Sequence, residues 1–330
     1  MSTYDPLDAQ QQRNLFWSHP LVTKNYVALT PSMPQVLEVV MDSIALHKKS
    51  LVFKAFPRMG KTTICKFVLS ALEHHPAFKD RSVSLVSADT IGDLKRRESI
   101  VISLAKVLGI LIPTRPVIAS IRTKVLHEIE SRLRNQLGRH WVLVIDELQA
   151  LSMEDFEHLQ HIQNELALHN IDTTLIGFSQ TQIAHKINLL SQQKRVELIV
   201  RFLNEVWDLP YCADQGWIGQ TLKSYDSDFT YPTGSDCSYT QFFLPQAYAA
   251  GFRIAAAAPD IYKVMATPAK ALSLPLVPTE YIFEVCRLVL IRSSEQDGAG
   301  FTLSREDIES AVIESKLKDY VEVLKTIGAL

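Results

Sequence analysis

Between Pro34 and His47 the apolar residues Val36, Leu37, Val40 and Ile44 fall at helical spacing, which predicts an amphipathic helix. The period then changes. Leu51-Val52-Phe53-Lys54-Ala55 is a short, mostly apolar run ending in a turn with Pro57 and Gly60, the pattern of a buried parallel strand. Helical spacing returns over Gly60–Leu72. Ser82–Val86 predicts a second strand, and Ile91–Gly109 a helix with Lys95, Arg96 and Arg97 near its start. Arg115–Leu137 predicts a charge-rich helix, and the unbroken apolar run Trp141–Ile145 a central strand. A helix over Phe156–His169 and a fourth strand over Thr173–Phe178 follow. The last strand, Leu203–Leu209, comes after a basic helix containing Lys194, Arg195 and Arg201.

Strands alternating with helices over Leu51–Pro210 predict an α/β fold, a parallel sheet flanked by helices. From Tyr211 onward the strand signal fades. Gln215–Tyr225, Tyr239–Ala250, Pro259–Leu272, Thr279–Ile291 and Arg305–Ile327 read as helices separated by Pro, Gly and Ser. Ser304-Arg305-Glu306-Asp307 supplies a cap and acidic first-turn residues for the last of them. Three parts are expected: an N-terminal arm over 1–31, an α/β domain over 32–210, and a helical domain with its tail over 211–330. No internal repeat interrupts this plan.

Composition narrows the setting. Hydrophobic residues make up 47% and charged residues 21% of the 330, ordinary for a globular protein with a substantial core. The formal net charge of -2 offers no global positive field for nucleic acid, although a local basic patch is compatible with it. Cys65, Cys212, Cys237 and Cys286 lie far apart with no metal-type spacing, as in a protein with reduced thiols. The polar start MSTYDPLDAQQQ lacks a signal pattern, and no apolar run approaches the roughly 20 residues that cross a bilayer. A soluble, cytoplasmic protein without a membrane partner is expected.

Chemistry enters at Ala55-Phe56-Pro57-Arg58-Met59-Gly60-Lys61-Thr62, set between a predicted strand and a predicted helix. In such a loop successive main-chain N–H groups curl around the β- and γ-phosphates, and the helix start adds its positive end. Gly60 permits close approach, Lys61 reaches the phosphate oxygens, and the Thr62 hydroxyl, followed by Thr63, is placed to hold Mg²⁺. ATP with Mg²⁺ is therefore the expected ligand. The pattern GxxxxGK[ST] is met except at Ala55, which replaces glycine and fits only with a negative φ.

Asp146-Glu147 ends the apolar strand Trp141–Ile145, and two carboxylates there call for a cationic partner. Asp146 is the expected second Mg²⁺ ligand, and Glu147 the general base that activates water. The fourth strand runs into Ser179-Gln180, where a polar group could sense the γ-phosphate; a helix cap at Ser179 stays open beside that reading. Arg201, just before the last strand, suits an arginine finger toward a neighbouring subunit, and also an ordinary surface arginine. Arg195 and Lys194 are the other candidates for that role.

Taken together, the Ala55–Thr62 loop, Asp146-Glu147, Ser179, the dipeptide Arg201-Phe202 and the helical segment behind them resemble an AAA+ ATPase with an all-helical lid. The Arg-Phe dipeptide is similar to the arginine finger of the initiator and RuvB-like branches. More narrowly, Val142–Leu151 (VLVIDELQAL), Leu175–Gln180 (LIGFSQ), Arg201–Pro210 (RFLNEVWDLP) and the arm Phe16–Val22 resemble the TnsC/TniB family of transposition regulators, in the compact form carried by CRISPR-associated transposons. The likeness runs from about Phe16 to Ala311. It departs at Ala55 and lacks a clear second-sensor motif; Gly251-Phe252-Arg253 is the nearest, and an ordinary surface arginine suits it better.

That resemblance implies rings or helical filaments of ATP-bound subunits around double-stranded DNA. It also implies a bacterial cytoplasmic protein, on the nucleoid when DNA-bound, that links a target-selection partner (a guide-RNA effector or DNA-binding adaptor) to transposase subunits. ATP hydrolysis would dismantle or redistribute the assembly. Lys95, Arg96 and Arg97, with Arg122 and Lys124 on the next helix, are the candidate DNA contacts; a solvated helix end explains the basic run as well. Two other readings fit the same motifs: a helicase-loader or clamp-loader-like AAA+ ATPase, and a P-loop ATP switch that never meets DNA.

Overall fold

Runs rich in β-branched and aromatic residues form an all-parallel sheet of β1 (Ser50–Ala55), β2 (Ser82–Ser87), β3 (His140–Asp146), β4 (Asp172–Gln180) and β5 (Val206–Asp208), ordered β2-β3-β4-β1-β5. The computed structural model describes residues 4–78, 82–88, 98–134, 139–271 and 276–326. One compact unit comprises Met33–Pro210, and a second joins Met1–Ser32 to Tyr211–Leu330.

Helices α1 (Ala9–Phe16), α2 (Pro20–Thr23) and α3 (Ser32–Ala45) precede the sheet. Between the strands run α4 (Lys61–His74), α5 (Ile100–Val107), α6 (Ile118–Leu133), α7 (Met153–Leu168), α8 (Ile183–Gln192) and α9 (Val196–Phe202). Every residue of β3 is buried, so both faces of the sheet are covered at its centre. Helix α4 packs against β2, β3 and β4, α6 against β2 and β3, α7 against β4, and α9 against β1. Phe53 of β1 stacks on Phe178 of β4 at 5.7 Å, and Phe156 of α7 meets Phe202 of α9 at 5.6 Å. Each of these fully buried side chains contributes about 1.5–3 kcal/mol through burial.

This order positions the site. Strand β1 lies between β4 and β5, neither of which is the next strand after it in sequence, so crossovers diverge there and leave a crevice at the carboxyl ends. The register puts Ala55 opposite Gln180 and Ile145 opposite Gly177, so β1, β3 and β4 end along one edge.

The second unit carries α10 (Gln215–Asp226), α11 (Tyr239–Phe243), α12 (Pro245–Ala249), α13 (Ala258–Ala271), α14 (Thr279–Ser293), α15 (Arg305–Glu314) and α16 (Leu317–Thr326). The N-terminal arm belongs to it. His19, wholly buried, sits among Tyr231, Tyr239, Phe242 and Phe243 at centroid distances of 4.7, 4.6, 4.5 and 4.6 Å. Its Nδ1 accepts the Leu21 N–H at 3.0 Å and caps α2. The Tyr225 hydroxyl donates to Tyr26 at 2.8 Å, and Arg287 Nε donates to the Leu21 carbonyl at 2.7 Å.

Several expected elements divide. The helix expected over Tyr239–Ala250 breaks at Leu244, where Pro245 excludes its predecessor from helical geometry. That over Arg305–Ile327 breaks at Lys316, which is left-handed at φ 63°. The single basic helix is two, α8 and α9, joined through Lys194 at φ 57°. Helix α6 starts only at Ile118 because Pro116 forbids an earlier turn. Strand β5 is short, since Leu203 closes α9. Of the helix expected over Ile91–Gly109, the stretch 91–97 lies outside the described residues and the rest gives α5.

Candidate functional site

The loop between β1 and α4 is shaped by two left-handed residues, Arg58 at φ 62° and Gly60 at φ 77°. Glycine adopts this freely; arginine does so at a strain of order 1 kcal/mol. Ala55 keeps φ outside that region as the last residue of β1, which explains why glycine is dispensable there. Gly60 is the N-cap of α4, so Lys61, Thr62 and Thr63 form its first turn with N–H groups unclaimed by the helix ladder. Ala55, Phe56, Pro57, Arg58 and Met59 form the strand end and the turn before it.

Lys61 is buried and bends back over the loop, donating to the Phe56 carbonyl at 2.9 Å and the Ala55 carbonyl at 3.5 Å. Burial pushes its pKa down, against the opposing pull of Glu147 and Asp146. Asp146, buried at the end of β3, is shifted up by burial, while a hydrogen bond from Thr62 and the Glu147 N–H at 3.0 Å favour its charged form. The Thr62 hydroxyl, the Asp146 carboxylate and the Lys61 ammonium thus share one patch of the sheet edge. The Lys61 ammonium there faces two carboxylates and donates to two loop carbonyls, so its charge is held at the mouth of the loop by oxygens.

Glu147 is left-handed (φ 56°, ψ 41°) and leads into a single 3₁₀ turn, Leu148–Ala150. Its Oε2 accepts from Gln149 Nε2, and from Gln180 Nε2 at 3.0 Å. Ser179 is fully buried, and its hydroxyl donates to Gln149 Oε1 at 2.9 Å; the Gln180 N–H meets the same oxygen at 2.9 Å. Ser179 and Gln180 lie inside β4, which corrects the helix-cap alternative for Ser179. Gln149 escapes a sequence reading because it sits in an irregular turn with no period to flag it.

Residues 45–187 match the model of an AAA domain. Over that stretch the chain is an AAA-type P-loop ATPase domain. The AAA+ fold also appears in solved structures that resemble the chain. Aeropyrum pernix ORC1, solved in complex with DNA, aligns at a TM-score of 0.52 and 16% identity over 90% of this chain and 69% of its own. Aeropyrum pernix ORC2, solved as ADPNP-ADP complexes, gives 0.58 and 10% over 90% and 72%. Cdc6p from Pyrobaculum aerophilum gives 0.56 and 12% over 88% and 69%. No curated protein sequence matches the chain.

Within the unit Met33–Pro210 the remaining candidates are scattered. Arg201 is half-buried at the end of α9 and donates to Asn164 Oδ1 of α7 at 2.6 Å; Phe202 beside it is core. Arg195 is engaged by Glu157, and by Glu197 at 2.6 Å, while Lys194 is exposed in the turn before α9. Arg122 on α6 is half-buried with Nη1 at 3.3 Å from His158 Nδ1, whereas Lys124 is exposed. Lys95, Arg96 and Arg97 lie outside the described residues. In the other unit Arg253 stacks over Tyr248 at 3.5 Å and donates to the Tyr248 and Phe252 carbonyls at 2.9 and 2.6 Å, so its guanidinium is engaged locally.

Proposed function

We propose that the chain is an ATP-hydrolysing AAA+ regulator of DNA transposition that oligomerises on double-stranded DNA and connects a target-selection factor to the transposase. The observation that carries the ATPase part is the meeting of Lys61, Thr62, Asp146 and Glu147 at the carboxyl edge of β1 and β3, behind a left-handed loop opening a helix. Nucleotide is further supported by ORC2, of the same fold and solved with ADPNP and ADP.

Magnesium fits the donors present. Among the described residues no cluster of three His, Cys, Asp or Glu side chains makes a metal site. A phosphoryl-transfer magnesium needs few protein ligands, because phosphates and water complete its shell. The hydrogen-bonded pair Thr62 and Asp146 is such a set. Bound there, the ion would neutralise charge on the β- and γ-phosphates. Lys61 holds the same oxygens, and Glu147 accepts the proton of the attacking water. Ser179 orients the γ-phosphate end of the site, and Arg201 serves a neighbouring subunit in a ring or filament.

The DNA and transposition part is supported by the motif resemblance over Val142–Leu151, Leu175–Gln180 and Arg201–Pro210, and by DNA-bound ORC1 having the same fold. Repetition of a few phosphate contacts per subunit reconciles a net charge of -2 with DNA binding. A helicase-loader or clamp-loader-like ATPase would share this site; binding to replication proteins rather than a transposase separates the two. The direct test is an electrophoretic shift with random duplex at low salt. A shift with ATP that weakens with ADP and with added salt supports the proposal, and no ATP-dependent shift removes the DNA part of it.

A further inference from the structure

Resting on the hydrolytic reading above, we propose that Gln149 is a positioning residue that fastens the Glu147 carboxylate to the end of β4 and couples it to the Ser179 hydroxyl. The bonding assigns every atom of its amide. A main-chain N–H can only donate, so the Gln149 atom facing the Gln180 N–H at 2.9 Å is the oxygen. The Ser179 hydroxyl donates to that same oxygen at 2.9 Å. The NH₂ group is left for the Glu147 carboxylate, which can only accept. Gln180 Nε2 reaches Glu147 Oε2 at 3.0 Å and closes the ring.

The backbone keeps Gln149 in this role. Its neighbours Leu148 and Ala150 are buried, and the Ala150 N–H donates to the Glu147 carbonyl at 2.8 Å, closing the turn. Gln149 therefore cannot leave without disturbing Glu147 itself. The Ser179 hydroxyl has a single proton, now divided between Gln149 Oε1 and the Gln180 carbonyl at 3.1 Å. A phosphate oxygen arriving at the end of β4 competes for that proton. When it wins, Gln149 Oε1 keeps the Gln180 N–H alone, and the position in which Gln149 holds Glu147 shifts with it. Occupancy of the γ-phosphate position is in this way transmitted to the base.

Three variants test the coupling with separate readouts. Gln149→Ala lowers ATP turnover by about tenfold or more while ATP affinity stays within about threefold. Without nucleotide, hydrogen exchange of the Gln180 amide speeds up, because its acceptor is gone. Gln149→Glu still accepts from Ser179 and Gln180 but cannot donate to Glu147, so it keeps the amide protected and yet loses turnover. Combined with Ser179→Ala, Gln149→Ala adds little further loss, since the two act through one path. Unchanged turnover in Gln149→Ala, restored turnover in Gln149→Glu, or additive losses in the double variant overturn the inference. An unsubstituted protein that hydrolyses no ATP instead overturns the hydrolytic reading on which it rests.

Discussion

Glu147 shows what a single residue discloses and what it withholds. The carboxylate pair after an apolar strand is legible in the chain, and so is the spacing from Gly60 to Thr62, because phosphate cradles demand fixed residue types at fixed offsets. The left-handed backbone of Glu147 and its amide partners are not, since they depend on strand register and on a turn without periodicity. His19 was equally silent: among arm residues it reads as one polar position, while in the fold it is enclosed by four rings. Burial lowers its pKa from 6.5 to about 3, so the folded state holds it neutral. Its contribution is present above pH 6.5 and is lost as pH falls toward 3. Denaturant unfolding between pH 6.5 and pH 5 is expected to show a loss of about 2 kcal/mol from this group. His19→Asn keeps a cap for α2 but cannot titrate, so its pH dependence should be flatter by that amount. Parallel pH profiles for both proteins would contradict the assignment.

At the scale of elements, strand–helix alternation announced the sheet and the core helices, because their burial imposes a strong period. What eluded it were interruptions: Pro245, Lys194 and Lys316 each break a continuous apolar period by a local φ or a missing donor. Gly177 marks a close approach of two elements. A Cβ built on it lies 2.6 Å from Leu148 Cδ2 and 3.2 Å from Val52 Cγ2, so a side chain on β4 here must displace Leu148 in the turn that carries Glu147 and Gln149. Gly177→Ala should destabilise the domain by about 1–3 kcal/mol through overpacking. It should also depress turnover more than nucleotide affinity, because Leu148 is pushed between the two site residues. Chemical denaturation and steady-state kinetics check this; a variant with unchanged stability and turnover would show that Leu148 gives way freely.

Across the whole molecule, the chain resolves into an α/β unit with the AAA+ fold and a helical unit that recruits the N-terminal arm. A linear reading treats the arm as a preface to the α/β domain. Its aromatic and hydrogen-bond contacts to residues beyond Tyr211 are long-range and leave no local pattern in the sequence. Assembly is the other property of this scale. If Arg201 serves a neighbouring subunit, Arg201→Ala should cut turnover about tenfold or more at concentrations where the protein assembles on DNA. In dilute protein it should leave the rate unchanged, and an equal loss in both regimes would assign Arg201 to holding α9 on α7 through Asn164. Everything larger depends on one event at the sheet edge, the capture of a nucleoside triphosphate. Calorimetric titration of ATP with and without Mg²⁺ into the unsubstituted protein, Lys61→Ala and Glu147→Gln measures it directly. The expected result is Mg²⁺-dependent binding that Lys61→Ala loses and Glu147→Gln keeps, the latter with turnover down about 100-fold or more; no Mg²⁺-dependent affinity in the unsubstituted protein would contradict the account.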